Sequence, residues 1–270
     1  MSTIRGAELA INETGEGRPV VWGHGLTSSA ASEDRAGLFG WLAPGELEGI
    51  RLIRYDARGH GSSAPGSDES AYQWSELAKD MVAVADHLDL DSFVAAGASM
   101  GAATSLWVAV TAPQRLDALV LVIPPTAWET RAAQAEFYRG GAALVESGGM
   151  DALIEARGSV PPAPLFASHP DVLADGITSL RANNPAVLPT VFRGAAASDL
   201  PDRDAIRAID LPTLILAWEG DPGHPAGTGI ELAALIAGAQ LHIAPDLETV
   251  RATWPAHVSR FLAALPDGQV

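Results

Sequence analysis

Short apolar runs alternate along this chain with longer helical segments. The apolar runs are Pro19-Val20-Val21-Trp22, Arg51 to Tyr55, Phe93 to Ala96, Leu119 to Ile123, Thr213 to Trp218 and Leu241 to Ala244. Several are almost continuously apolar, as expected of parallel strands covered on both faces. Helical patterns occupy Ala71 to Leu88, Met100 to Ala112, Ala226 to Ala237 and Pro255 to Leu265, with Pro255 suited to a first helical position. The alternation predicts an α/β fold: a doubly wound, mostly parallel sheet with helices on both faces.

One interval breaks the rhythm. From Pro124 to Pro212 no strand pattern occurs, and the segment is Ala-rich, helical and interrupted by Pro161-Pro162-Ala163-Pro164 and Asn183-Asn184-Pro185. A long insertion at the carboxyl end of a strand is where a lid over an active site belongs. The division expected is a core of residues 1–123 and 213–270 and a helical cap of residues 124–212. The cap carries Trp128, Phe137, Tyr138 and Phe166, and Trp128 and Tyr138 are candidate substrate-binding residues of an apolar pocket.

Composition narrows the partners. The 270 residues carry a formal net charge of −16, which argues against nucleic acid and anionic membrane surfaces. The absence of cysteine excludes disulfides and thiolate nucleophiles. The first residues lack the apolar core of a secretory signal, and no apolar stretch is long enough to span a membrane, so a cytoplasmic protein is expected. No His/Asp/Glu cluster has metal-ligand spacing, so neither metal nor cofactor is expected and the partner is a small-molecule substrate.

The chemistry concentrates at Gly97-Ala98-Ser99-Met100-Gly101. A strand pattern precedes it and a helical one follows, so Ser99 sits on a sharp bend flanked by small residues. Such a bend exposes a hydroxyl as nucleophile and leaves the Met100 amide free at a helix N-terminus to bind an oxyanion. Gly23-His24-Gly25-Leu26 follows an earlier strand, and the Leu26 amide can point at the same oxyanion. His24 and His60 read as structural, and Asp56 and Arg58 are expected to pair. Asp221 follows the strand ending at Trp218, on the sheet edge where Ser99 emerges. Glu129 is a weaker alternative acid.

Taken in order, Gly23-His24-Gly25, Asp56-Ala57-Arg58-Gly59-His60-Gly61, the Ser99 bend and Gly220-Asp221-Pro222-Gly223-His224-Pro225 resemble the α/β-hydrolase superfamily, in its capped esterase and enol-lactonase branch. The resemblance implies Ser99 as nucleophile, Leu26 and Met100 as oxyanion amides and Asp221 as acid. One feature departs from it. The family places a histidine in the loop after the last strand, but Ala244-Pro245-Asp246-Leu247-Glu248-Thr249-Val250 has none. Among the remaining histidines His224 ranks first as base, three residues past Asp221 on the correct edge. His257 follows, then His169 in the lid, with His242 and His87 behind them. The expected reaction is cleavage of a small, mostly apolar ester or lactone through an acyl-enzyme on Ser99. The missing loop histidine keeps a second reading open: a protein of this fold that works as a lyase, cyclase, isomerase or binding protein.

Overall fold

The computed structural model describes residues 1–266. Strands β1 (Ser2–Ile4) and β2 (Ala7–Leu9) form a small antiparallel ribbon. The main sheet is built from β3 (Ile11–Thr14), β4 (Arg18–Gly23), β5 (Ile50–Tyr55), β6 (Phe93–Ala98), β7 (Leu116–Val122), β8 (Thr213–Trp218) and β9 (Gln240–Ala244). Its spatial order is β3-β5-β4-β6-β7-β8-β9, parallel except where β3 lies antiparallel on β5. Each of the six apolar runs read from the sequence falls in one of the parallel strands. The ribbon strands and β3 have only three or four residues each, too few for a period to register.

The helices are α1 (Ala30–Ala36), α2 (Trp74–His87), α3 (Met100–Thr111), α4 (Arg131–Gly158), α5 (Pro170–Arg181), α6 (Leu188–Ala196), α7 (Arg203–Arg207), α8 (Ala226–Leu235) and α9 (Leu247–Ala263). The continuous apolarity of the strands has a direct cause. Val21, Ile53, Ala95, Leu119, Leu121 and Ile215 pack with α2, α3 and α8 on one face. Their neighbours Val20, Leu52, Val94, Val120, Val122 and Leu214 pack with Trp254, Val258 and Phe261 of α9 on the other. Successive strand side chains point to opposite faces, so a sheet buried on both faces leaves few polar positions, and buried Arg54 of β5 is one of them.

Between β7 and β8 the helices build a cluster of their own. Ala142, Val145 and Leu153 of α4 pack with Leu180, Leu188, Val191 and Phe192, and with Tyr72 beneath them. Helix α4 is kinked at Gly149, whose φ of 72° breaks the helical path. The end of the interval behaves differently: Leu200, Ile206 and Ile209 join the main core. No helix among the described residues is long and apolar enough to cross a membrane.

Two local expectations are corrected. Helix α9 starts at Leu247, because the Asp246 side chain caps it by accepting from the Thr249 amide at 2.7 Å; Pro255 therefore lies inside the helix. The Asp56–Arg58 pair is also absent. Arg58 binds Asp80 with two nitrogens at 2.6 and 2.7 Å, the fork geometry that suits a buried carboxylate. Asp56 instead accepts the amides of Ala30 and Ser62, each at 2.9 Å, and so ties two loops together.

A second buried pair makes stability depend on pH. Glu33 accepts from the Trp22 indole and from Arg54, yet burial lifts its carboxyl from an ordinary 4.5 to about 7. The fold thus holds a proton that the unfolded chain releases between those values. Stability contributed by Glu33 is full below pH 4.5 and is lost as pH rises toward 7. Urea denaturation at pH 5 and 7.5 should show Glu33→Gln removing a stability difference on the order of 2 kcal/mol between the two. Equal differences in both proteins would refute this.

Candidate active site

The site forms where β4 and β6 lie side by side, with the winding direction reversing between them, the position at which open α/β sheets hold ligands. β6 ends at Ala98 and α3 begins at Met100, leaving Ser99 on the bend with φ 53° and ψ −109°. Non-glycine residues avoid such backbone angles, and the neighbours show what enforces them. A Cβ added at Gly101 would lie 1.9 Å from the Gly23 carbonyl oxygen, and one at Gly97 2.5 Å from the Gly101 carbonyl carbon. Strand β4, strand β6 and helix α3 meet backbone to backbone, and only glycine permits it. The Ser99 amide donates to the Val122 carbonyl at 3.0 Å, which fixes the bend against β7.

The segment after β8 brings two more groups to this point. His224 Nε2 lies 2.8 Å from Ser99 Oγ, and His224 Nδ1 lies 2.7 Å from Asp221 Oδ2. Nδ1–H donating to the carboxylate leaves Nε2 as the acceptor for the serine hydroxyl, a tautomer set by the hydrogen bonds. Asp221 Oδ1 accepts the Gly223 amide at 2.9 Å. Burial raises the Asp221 carboxyl most, but the His224 hydrogen bond and charge, the Gly223 amide and the Trp218 indole outweigh it, so it sits below the usual range. Asp221 and His224 thus occupy one turn, spaced by three residues.

That turn is fastened on three sides. The Glu219 amide donates to Ala244 at the end of β9 (3.0 Å), the Thr126 amide to Gly223 (3.3 Å), and the Leu165 amide to Gly220 (3.2 Å). Gly220 has φ 76°, and a Cβ there would meet the Leu165 nitrogen at 3.1 Å. The insertion between β7 and β8 therefore rests directly on the turn that carries Asp221 and His224.

The Leu26 loop approaches from the other side. A Cβ at Gly25 would stand 3.7 Å from the Ser99 Cβ. His24 shapes this loop: Nδ1–H donates to the Gly25 carbonyl at 2.8 Å while Nε2 accepts the Ala57 amide at 2.9 Å. Burial pushes His24 below its ordinary pKa, and burial together with its neighbour His24 takes His60 down to about 3. Both rings are neutral scaffolding. The Leu26 amide has no hydrogen-bond acceptor among the described residues, and the Met100 amide, first in its helix, has none in the helical ladder.

The other candidate groups lie in different settings. His242 and His257 stack on each other with centroids 3.6 Å apart. His169 faces Glu248 at 3.5 Å, His87 is exposed at the end of α2, and Glu129 is exposed and paired with Arg203. The Trp128 indole donates to Pro201 at 3.2 Å and carries the Arg203 guanidinium 4.3 Å above its ring, so it is engaged by protein groups. Tyr138 stacks on Phe192 with centroids 6.0 Å apart, within the insertion's own cluster against which Leu26 also packs. Trp218 was not singled out by sequence reasoning; its only signal is its position as the last residue of β8.

Residues 18–147 match the family described as alpha/beta hydrolase fold. The chain is 26% identical to 3-oxoadipate enol-lactonase 2 of Acinetobacter baylyi, over 71% of this chain and 69% of that protein. It is 29% identical to a non-heme haloperoxidase of Rhodococcus erythropolis, over 90% of this chain and 89% of that one. The crystal structure of the enol-lactonase from Burkholderia xenovorans superposes with a TM-score of 0.79 at 23% identity, covering 97% of this chain and 99% of the other. Sheet order, the bend at Ser99 and these similarities lead to one assignment: the chain has the α/β-hydrolase fold, and its residues 18–147 match the family of that name.

Proposed function

We propose that this protein is a serine hydrolase that cleaves a carboxylic ester or lactone of a small, mostly apolar substrate through an acyl-enzyme on Ser99. The observation that carries the reading is the continuous chain of hydrogen bonds from Ser99 Oγ through His224 to Asp221, at 2.8 and 2.7 Å. Serine needs a base within hydrogen-bond reach, and here that base comes from the turn after β8. The similarity to enol-lactonases supports an ester bond within a ring as one substrate form.

The steps follow from the geometry. Ser99 Oγ attacks the acyl carbon while its proton passes to His224 Nε2. The carbonyl oxygen becomes an oxyanion held by the Leu26 and Met100 amides. Asp221 stabilises the imidazolium. The C–O bond then breaks and His224 gives its proton to the leaving oxygen. Water attacks the acyl-enzyme, passing a proton to His224 and then back to Ser99 as the acid departs. The helical cluster of the insertion serves as the lid, and Leu26 of the oxyanion loop packs against it.

A fluorophosphonate probe tests the reading, because only an activated serine reacts with it. One covalent adduct is expected, mapping to Ser99 by mass spectrometry and matched by turnover of short aryl esters. An unlabelled, folded protein would favour a lyase, isomerase or binding role on the same fold.

A further inference from the structure

The geometry points to Trp218 as a positioning residue for the acid–base turn, its indole N–H held in reserve for the Asp221 carboxylate as charge builds on His224. The inference rests on the reading of His224 as base and concerns how that base is kept in place.

Three observations carry it. First, the Trp218 indole nitrogen is buried and has no hydrogen-bond partner among the described residues. A buried donor left without an acceptor loses its hydration with nothing in return, so its retention calls for a reason. Second, the indole stands at the turn itself, its ring centroid 6.1 Å from that of His224, and it lowers the Asp221 carboxyl without making a hydrogen bond to it. The influence is that of an unbonded dipole on the carboxylate. Third, the ring is locked by aromatic contacts. It stands edge-on to His224 at 6.1 Å and 78°, stacks on Trp254 at 6.0 Å, and receives Phe166 edge-on at 5.6 Å. Phe166 belongs to the same turn that hydrogen-bonds Gly220 through Leu165.

The turn itself explains the need. Asp221 takes one backbone donor, from Gly223, and one side-chain donor, from His224. With the base only three residues away, both donors belong to the segment they must steady. Trp218, anchored in β8 and against α9, supplies a reference outside that segment. When His224 accepts the serine proton, the imidazolium draws the carboxylate toward it, and the indole N–H opposes that drift.

Trp218→Phe keeps the ring and removes the N–H. Expected is a fall in kcat on the order of 10-fold, with KM within about two-fold and the acid limb of kcat/KM moved to higher pH, since Asp221 loses a donor that holds it low. Trp254→Phe is the packing control: it touches the same indole but not the turn, so it lowers Tm and leaves both kcat and the acid limb in place. If Trp218→Phe behaves like the control, Trp218 only packs and the inference falls. Should Trp218→Phe not fold, the indole proton resonance of wild-type Trp218 decides. It should move downfield when fluorophosphonate occupies Ser99, and an unmoved resonance overturns the inference. A wild-type protein that takes no fluorophosphonate removes the hydrolase reading itself, whereas normal labelling with an inert Trp218→Phe removes this inference alone.

Discussion

Ser99→Ala should abolish turnover of short aryl esters, lowering kcat by about 10⁴-fold or more, while thermal stability should stay within a few degrees of wild type. The size follows from the mechanism: without Oγ no acyl-enzyme forms, and the Leu26 and Met100 amides can only polarise a carbonyl awaiting water. The fold is spared because the bend depends on Gly97, Gly101 and Gly23 rather than on the hydroxyl. Alanine keeps the small side chain and loses only a hydrogen bond to His224. Retention of more than about a tenth of wild-type kcat by folded Ser99→Ala would rule out nucleophilic catalysis by this residue.

His224→Gln should cost roughly 10³-fold or more in kcat/KM. Glutamine fills the space and can donate to Asp221, so the turn persists, but it cannot take a proton from serine and return it. His169, His242 and His257 changed singly to Gln should keep rates within about three-fold of wild type, since one faces Glu248 and the other two stack on each other. The double variant Asp221→Asn with His224→Gln should lose little more than His224→Gln alone, because residues acting as a unit are not additive. A full loss in any of the other three, with His224→Gln active, would relocate the base.

The sheet is legible because burial on both faces leaves a strand few polar positions, and the six mostly apolar runs record that constraint. The ribbon and β3 escaped notice because three or four residues carry no period. The start of α9 was misplaced because Pro255 reads as a first-turn residue, whereas the Asp246 cap fixes the true start. Around Ser99 the crowded glycines were visible as residues, and the clash of Gly101 with Gly23 shows why they are needed. Partners distant in sequence were not visible. Arg58 reaches Asp80 on α2 rather than nearby Asp56, and Trp128 meets Arg203 across the insertion. Sequence narrowed the histidines near Ser99 by loop and edge, but the distance of 2.8 Å from His224 to Ser99 Oγ needed coordinates.

The short spacing between Asp221 and His224 also changes what has to stay aligned. Where nucleophile, acid and base hang from three separate loops, three positions fluctuate independently and two distances must be kept. Here the carboxylate and imidazole ride on one turn, so breathing of the sheet edge displaces them together. Only the gap to Ser99 remains to be held in register. The segment joining β9 to α9 is thereby released from chemistry, and its tolerance of insertions and sequence drift is limited by the helix cap alone.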